Sequence, residues 1–462
     1  MKRLTKLLVL TLALAALLTV SAFAADFTHC ADALNDLGLF QGTDSGYDLD
    51  RAPTRAEAGA MLVRLLGAED EALKMETYTA PFTDVRDWAK PYVQYLYDNG
   101  LTNGKSATTF GYSDKCTAQQ YATFLLRALG YTDNGDPSDF TYAKALDFAR
   151  EKGVVDYVNC DEQNFLRDDV VAMSFTALAT APKSGEADLL TKLVKEGAIA
   201  DAKGYDEMFQ LYRDYLKAAT ADASATKTSM SMELAMDMKM AGVSFISGTM
   251  DLDTAIDMNV EQMDSSKMSM KGNVDMAVQP ALAEELDMPD EEAKFQSAIE
   301  YYYTDGWYYM NMMDTKIKMP LSFEDILSQT MNLTTTSSEP ISLLKDISKS
   351  SSTYTIVYDG AAMTGLTGQV LGVMGTTGVA GDAASLVPDM TFPDTTITVT
   401  IQNGHMTDMT TQLSMEMDMD GLTMSIDMDL KVTDIRYGGN VNVTLPSDLS
   451  SYQDLSTELP AA

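Results

Sequence analysis

Along the first third of the chain, apolar residues recur with a helical period. Ala60, Met61, Val63, Leu65 and Leu66 make one stripe, and Ala122, Leu125, Leu126 and Leu129 make another. The layout around these stripes repeats. A helix ends at Gly38-Leu39, a loop carries Gly42 and Gly46, Pro53-Thr54-Arg55-Ala56-Glu57 follows, and a helix spans 58–66. The second copy runs from Trp88-Ala89 through a helix to Tyr97, then Gly100-Leu101, Asn103-Gly104, Phe110 and Thr117, into a helix over 118–129. The third has a helix over 142–150, Gly153-Val154, Phe165-Leu166-Arg167-Asp168-Asp169, and a helix over 170–179. Thr54 or Asp50 is placed to cap the second helix of copy one, and Thr54 with Glu57 spells a capping box. One such unit cannot bury its apolar face alone, so the copies are expected to stack around a shared core.

From Met230 the period changes to two. Met230, Met232, Leu234, Met236, Met238 and Met240 alternate with Ser, Glu, Ala, Asp and Lys, and the same alternation runs through Met250–Val260 and Met268–Val278. This pattern predicts antiparallel sheet with one apolar and one wet face. Asp420-Gly421 between alternating runs is a two-residue hairpin signal. A loop of that length pairs Met419 with Leu422, Met417 with Met424, Met415 with Ile426 and Leu413 with Met428. On the other face it sets Asp418 against Thr423, Glu416 against Ser425 and Asp427 against Ser414, so no two acids of this hairpin oppose each other. Asp305-Gly306 marks a second hairpin between Tyr301-Tyr302-Tyr303 and Trp307-Tyr308-Tyr309. Asn403-Gly404 marks a third, with the apolar parity slipping between Met406 and Met409, which predicts a bulge or longer loop. Between about 320 and 388 the alternation breaks. Residues 323–331 and 341–347 read as helices, 354–358 as a strand, and 361–374 as a Gly-rich apolar stretch, together a helical cover for one side of the sheet. Ahead of the sheet, 187–194 and 205–219 read as helices, and 221–229 is small and polar, as in a short flexible link.

The first residues add a destination. Lys2, Arg3 and Lys6 precede an apolar run over 7–20, and Ala22-Phe23-Ala24 forms a small-x-small cleavage site, so the mature chain is expected to begin at Ala25. The run is short for a bilayer, no later segment reaches the roughly 18–20 apolar residues of a membrane helix, and Cys30 lies too far from the cleavage site for a lipid anchor. Net charge is −35, which repels nucleic acid and anionic membranes. Three Cys (Cys30, Cys116, Cys160) fit neither a disulfide framework nor a zinc pattern and are expected as small buried hydrophobes. Neither His29 nor His405 sits in a motif for nucleophilic catalysis, and phosphate loops and nucleophile elbows are lacking, so no catalytic residue, cofactor or metal ligand is assigned.

The three N-terminal copies resemble S-layer-homology repeats. The residues that carry the resemblance are Phe82-Thr83-Asp84-Val85 with Trp88-Ala89, Gly100-Leu101-Thr102-Asn103-Gly104, and Thr54-Arg55-Ala56-Glu57. The resemblance implies a pseudo-threefold helical bundle whose inter-repeat grooves bind secondary cell-wall polysaccharide, often through an anionic ketal. An Arg fork suits a carboxylate and a Trp face suits a sugar ring. By motif position, the resemblance makes Arg55 and Arg167 the candidate ligand arginines, with Asp84 and Trp88 as second-line candidates. Copy two has Ala118 and Gln120 where the motif has Arg and Glu, so its groove is expected to be inactive.

The C-terminal part resembles the half-barrel of bacterial lipoprotein-carrier and lipid-binding proteins: a long curved antiparallel sheet, a helical interruption, the Tyr-rich hairpin at 301–309 and a closing strand ending at Leu445-Pro446. That resemblance implies a groove for an apolar ligand, unless the Met face is packed shut against helices. The expected architecture is multidomain: a signal peptide (1–24), an all-α trimer of repeats (27–68, 82–130, 139–181), a helical connector (182–227), and an α+β domain (228–450) with a curved antiparallel sheet and a helical cap. The expected function is a secreted, non-enzymatic surface protein bound to wall polysaccharide or peptidoglycan, its last domain engaging an apolar ligand or a surface protein. The competing reading is Cu binding or oxidant scavenging by Met230-Ser231-Met232 and Met415-Glu416-Met417-Asp418-Met419.

Overall fold

The computed structural model describes residues 26–455 except 44–45, 157–158, 224, 286–287, 290–292, 314, 327–339, 365–388 and 420–421. The expected export signal, the turn residues Asp420 and Gly421, and the later parts of the expected segments 323–331 and 361–374 lie outside the described residues. The chain divides into two compact units. The first is Met1–Gln210 with Pro340–Lys345 and Ala361–Ser385; the second is Leu211–Glu339 with Asp346–Gly360 and Leu386–Ala462.

The first unit is helical. Its helices are α1 (Thr28–Asp36), α2 (Arg55–Leu65), α3 (Glu69–Leu73), α4 (Lys90–Asp98), α5 (Ala118–Ala128), α6 (Ala145–Glu151), α7 (Arg167–Ala179) and α8 (Leu189–Lys195), and α9 (Tyr205–Ala223) leads out of it. Local chemistry sets the starts. The Thr54 hydroxyl accepts from the Glu57 N–H while the Glu57 carboxylate accepts from the Thr54 N–H, the capping box read from the sequence. Thr117 caps α5 by accepting from the Gln120 N–H, and Asp188 caps α8 by accepting from the Thr191 N–H. Packing follows a cyclic rule: α4 lies on α2, α6 on α5, and α1 on α7. Each opening helix thus rests on the closing helix of the segment before it, and the first rests on the last. Leu62, Val63, Leu96, Tyr121, Leu125, Val170 and Phe175 fill the shared interior. Such a ring buries apolar area that no single helix pair can cover.

The second unit is a 13-stranded sheet in the order β13-β6-β5-β4-β3-β2-β1-β12-β11-β10-β8-β7, with β9 pairing β11. The strands are β1 (Lys227–Met240), β2 (Val243–Asp257), β3 (Lys267–Val278), β4 (Lys294–Thr304), β5 (Trp307–Met312), β6 (Thr315–Pro320), β7 (Leu344–Ser350), β8 (Thr353–Tyr358), β9 (Asp389–Thr391), β10 (Thr395–Gln402), β11 (His405–Met419), β12 (Leu422–Tyr437) and β13 (Gln453–Asp454). The β13–β6 pair is parallel. Every β11–β12 pair expected from the Asp-Gly turn is present, from Met419↔Leu422 to Leu413↔Met428. The β4–β5 turn holds Asp305 at φ 51° and Gly306 at φ 77°, the left-handed pair of a tight hairpin. At the β10–β11 hairpin, Ile401 pairs with Met406 and Thr400 with Asp408, leaving Thr407 as the bulged residue.

Two expectations are corrected. Residues 341–347 are not a helix: Ile341–Leu343 make one 3₁₀ turn and β7 begins at Leu344. The Ile-x-x-Leu-x-x-Ile spacing imitates a helical stripe, but Leu343 is buried at the turn and Leu344 and Ile347 on the strand. With β8, the middle of the expected helical cover is therefore sheet. The flexible link is also shorter, since α9 runs to Ala223 and β1 starts at Lys227. Across β1–β12, Asp237 does face Asp427, outside the predicted hairpin, and Lys239 relieves the repulsion with Nζ at 2.6 Å from Asp427 and 3.5 Å from Asp237.

The apolar side of the sheet carries a cluster of Met268, Tyr303 and Phe323, with Ile256, Tyr308 and Ile326 against it. The opposite side carries Tyr302, Tyr309 and Tyr452. Gly272 sits between Leu252 and Ile299, and a Cβ there would lie 1.7 Å from the Asp251 carbonyl oxygen. Gly272→Ala is expected to cost about 1–3 kcal/mol or more by forcing β2 from β3. The thermal midpoint read from Trp307 fluorescence in a Trp88→Phe background measures it.

Candidate functional site

Capping places Arg55 as the first residue of α2, and Arg167 is the first residue of α7. Their surroundings match atom for atom in kind. Arg55 Nε donates to the Phe110 carbonyl at 2.9 Å, and its backbone N–H donates to the Asp114 carbonyl at 2.8 Å. Arg167 Nε donates to the Tyr47 carbonyl at 3.2 Å, and its N–H donates to the Arg51 carbonyl at 3.0 Å. Counted back from Arg55 and Ala118, Tyr47 and Phe110 hold the same loop position, and so do Arg51 and Asp114. The Arg55 guanidinium lies over the rings of Phe110 (5.1 Å) and Phe124 (4.8 Å). That of Arg167 lies over Phe40 (5.6 Å), with Nη1 at 3.9 Å from Met61 Sδ; Met61 is the counterpart of Phe124. Each arginine thus reaches from its own segment into the loop of the next.

Both side chains are buried, Arg55 at 5% exposure and Arg167 at 6%. Among the described residues neither forms an ion pair. The carboxylates near Arg167 are engaged elsewhere: Arg51 holds Asp48 at 2.7 Å and Glu57 at 2.9 Å. Burial pushes the proton affinity of both guanidinium groups down, and at Arg167 the neighbouring Arg51 charge adds to this. A buried cation without a counter-charge is costly, and aromatic faces offset only part of that cost. The arrangement is chemically suited to an anion that brings its own carboxylate. The matching position of α5 is Ala118, which offers no such group.

Asp84 does different work. Its carboxylate accepts from the backbone N–H groups of Phe110 and Gly111 at 2.8 Å and Tyr112 at 3.0 Å. Burial would raise its pKa, but these three amides outweigh burial and hold it below the usual carboxylate range. Asp84 therefore shapes the loop that Arg55 touches. Trp88 is 47% exposed, and its indole N–H donates to the Tyr112 hydroxyl at 2.6 Å. Arg86 lies over the Tyr112 ring at 5.5 Å. Tyr112 and Arg86 were not legible as site residues; the Phe110-Gly111-Tyr112 triplet clamped by Asp84 is their signal.

Elsewhere, all three cysteines are buried thiols, and burial pushes the Cys116 thiol up to about 12. His29 Nε2 lies 3.4 Å from Cys30 Sγ, but that thiol is fully buried and closed to substrate. On the sheet, a concavity of about 580 Å³ lies over Glu233, Asp251, Asp429, Lys431, Thr398 and Thr410 among others, on the polar face rather than the Met face. Among the described residues no group of three or more His, Cys, Asp or Glu is arranged to hold a metal, and no helix is long and apolar enough to cross a membrane.

Comparison with known proteins adds names to this geometry. The family described as a family of unknown function, DUF6612, matches residues 215–451, just over half of the chain. The chain belongs to the DUF6612 family. Ahead of the DUF6612 region, residues 81–118 match the S-layer homology domain, the stretch that contains Asp84, Trp88, Phe110 and Tyr112. Similar curated proteins include an endoglucanase of Bacillus sp. (strain KSM-635), 32% identical over 109 residues, covering 21% of this chain and 12% of that protein. A cell surface protein of Thermoanaerobacter kivui is 31% identical over 113 residues, covering 24% of this chain and 15% of its own length. An amylopullulanase of Thermoanaerobacterium thermosulfurigenes is 33% identical over 90 residues, covering 19% and 4%. This DUF6612 chain therefore spans 15% or less of the relatives' lengths. A solved structure of a DUF1329 family protein from Desulfovibrio piger covers 50% of this chain and 93% of its own, at 7% identity and a TM-score of 0.16.

Proposed function

We propose that this DUF6612 protein is exported by the signal at 1–24 and held on the cell wall by three S-layer-homology repeats that grip an acidic wall polysaccharide. The observation that carries the reading is the pair of buried, equivalent arginines, Arg55 and Arg167, with no carboxylate partner among the described residues. The matched domain at 81–118 and the similarity to a cell surface protein support it, as does the cyclic packing of the helices. A planar guanidinium presents two parallel donors to a sugar-borne carboxylate, and the rings beneath keep it in place. Trp88 and Tyr112 flank the Arg55 site as a platform for a sugar ring. Asp84 is a positioning residue. The groove that Ala118 fails to equip is inactive. The C-terminal unit is displayed as a non-enzymatic module.

Sedimentation of the full chain with purified walls tests this. Arg55→Ala and Arg167→Ala are each expected to weaken retention by about 2–5 kcal/mol, roughly thirtyfold or more. Walls stripped of acidic polysaccharide are expected to retain none of the protein. Undiminished retention of the Arg55→Ala/Arg167→Ala double variant, with its fold intact by circular dichroism, overturns the proposal.

A further inference from the structure

We infer that the C-terminal unit carries a Cu(I) site made of the thioethers of Met240, Met417 and Met424. Strand register puts these three on one line across adjacent strands. Met240 on β1 pairs with Met424 on β12, and Met424 pairs with Met417 on β11. Directly opposite residues have Cβ atoms about 4.5–5.5 Å apart. An unbranched side chain with three rotatable bonds spans that gap readily, so the sulfurs of one line can converge on a single ion. The next line adds Met238 and Met415, one on each side of Ile426.

The line is graded from interior to solvent. Met417 is 1% exposed and Met424 4%, whereas Met240 is 38% exposed at the end of β1, beside the Ala241-Gly242 turn. Two of the side chains are thus shielded from water and the third is partly exposed, which gives an ion a way in. The donors are soft. With no set of His, Cys or carboxylate ligands among the described residues, the unit offers little to Ca²⁺, Mg²⁺ or Zn²⁺. Thioethers select Cu(I), and Ag(I) shares that preference.

Packing by itself gives no reason for Met at these places. Ile and Val suit a half-buried strand better, and a core of flexible Met is poorly specified. A row of sulfur in register is what a soft-metal site needs and what a plain core does not. Binding changes no oxidation state: the ion enters as Cu(I) and stays so. The site lies outside the wall-binding unit, so it stands or falls separately from the proposed anchoring.

The test is a titration of the full chain, labelled at its methionine methyl groups, followed by NMR. Ag(I) serves as the redox-inert probe and Cu(I) is held reduced by ascorbate. The first equivalent is expected to shift the methyls of Met240, Met417 and Met424 before that of Met313, which is itself 42% exposed. Leucine nearly preserves methionine's volume, so Met240→Leu, at the exposed end, is expected to leave the fold intact and weaken Cu(I) binding about tenfold or more. Competition with a chromogenic Cu(I) chelator reads that change. If Met313 responds first or together with the three, or if Met240→Leu binds as the unaltered chain does, the site does not exist.

Discussion

Arg127→Ala is expected to destabilise the helical unit by about 3–5 kcal/mol. Arg127 lies in the last turn of α5 and its guanidinium makes a two-pronged bond to Asp133, with Nε–Oδ1 at 2.8 Å and Nη2–Oδ2 at 2.7 Å. Its remaining Nη1 donates to the Leu101 carbonyl at 3.0 Å, so one side chain ties α5 to two loops. Both partners' side chains are only 8% exposed. Removing the arginine leaves a buried carboxylate and a buried carbonyl without donors, and that penalty, rather than the net worth of the pair, sets the size of the loss. Arg127→Lys rescues little, because an ammonium cannot fill the two-pronged site. Chemical denaturation followed by Trp88 fluorescence in a Trp307→Phe background reads this unit alone, since the chain has 2 Trp. A loss under about 1 kcal/mol would show that the pair is not buried as described.

Raising the pH from 5 to 8 is expected to destabilise the same unit. Asp168 and Asp169 lie in the first turn of α7, and both are buried. Asp168 accepts the Phe27 N–H at 3.0 Å; burial first, then the charges of Asp169 and Asp26, lift its pKa to about 8. Asp169 accepts the N–H groups of Asp161 and Leu166 at 2.6 Å each, yet burial and the Asp161 charge still lift it to about 7. An acid whose folded pKa lies above its unfolded value favours folding while protonated. That contribution is complete below the unfolded value and is lost as pH climbs to the folded value. Stability therefore falls, on the order of 1 kcal/mol per pH unit, across a window that ends near 7 for Asp169 and near 8 for Asp168. Asp168→Asn keeps the acceptor for Phe27 but cannot ionise, so it is expected to flatten the upper part of the decline. A midpoint that holds level or rises from pH 5 to 8 in the unaltered chain contradicts this account.

The local features of both units were legible because their causes are local. The capping box at Thr54 and Glu57 involves residues three apart and forms as read. The β11–β12 register follows from a two-residue turn, which leaves the pairing one choice. The Thr407 bulge follows from a parity slip in a single strand. Residues 341–347 misled because their apolar spacing over seven residues imitates about two helical turns, a length that a short strand also has, and only the neighbouring strand β8 decides.

For the candidate site, the sequence identified which residues matter more than what they do. Arg55, Arg167, Asp84 and Trp88 were singled out together, yet Asp84 is consumed by three backbone amides and Trp88 leans on Tyr112. Those partners lie more than twenty residues away, beyond any local pattern.

Periodicity, turn dipeptides and caps by themselves determined that this chain has a helical N-terminal region followed by a two-faced sheet with defined hairpins, since each depends on contacts within a few residues. Only the tertiary structure decided that α1 closes the ring on α7, that Arg55 and Arg167 end buried with no ion-pair partner among the described residues, and that β1 lies between β2 and β12, which sets Asp237 against Asp427 and aligns three methionines. These outcomes rest on long-range packing, where residues far apart in the chain compete for the same buried space and the lowest free energy of the whole unit, not of any segment, selects the partner.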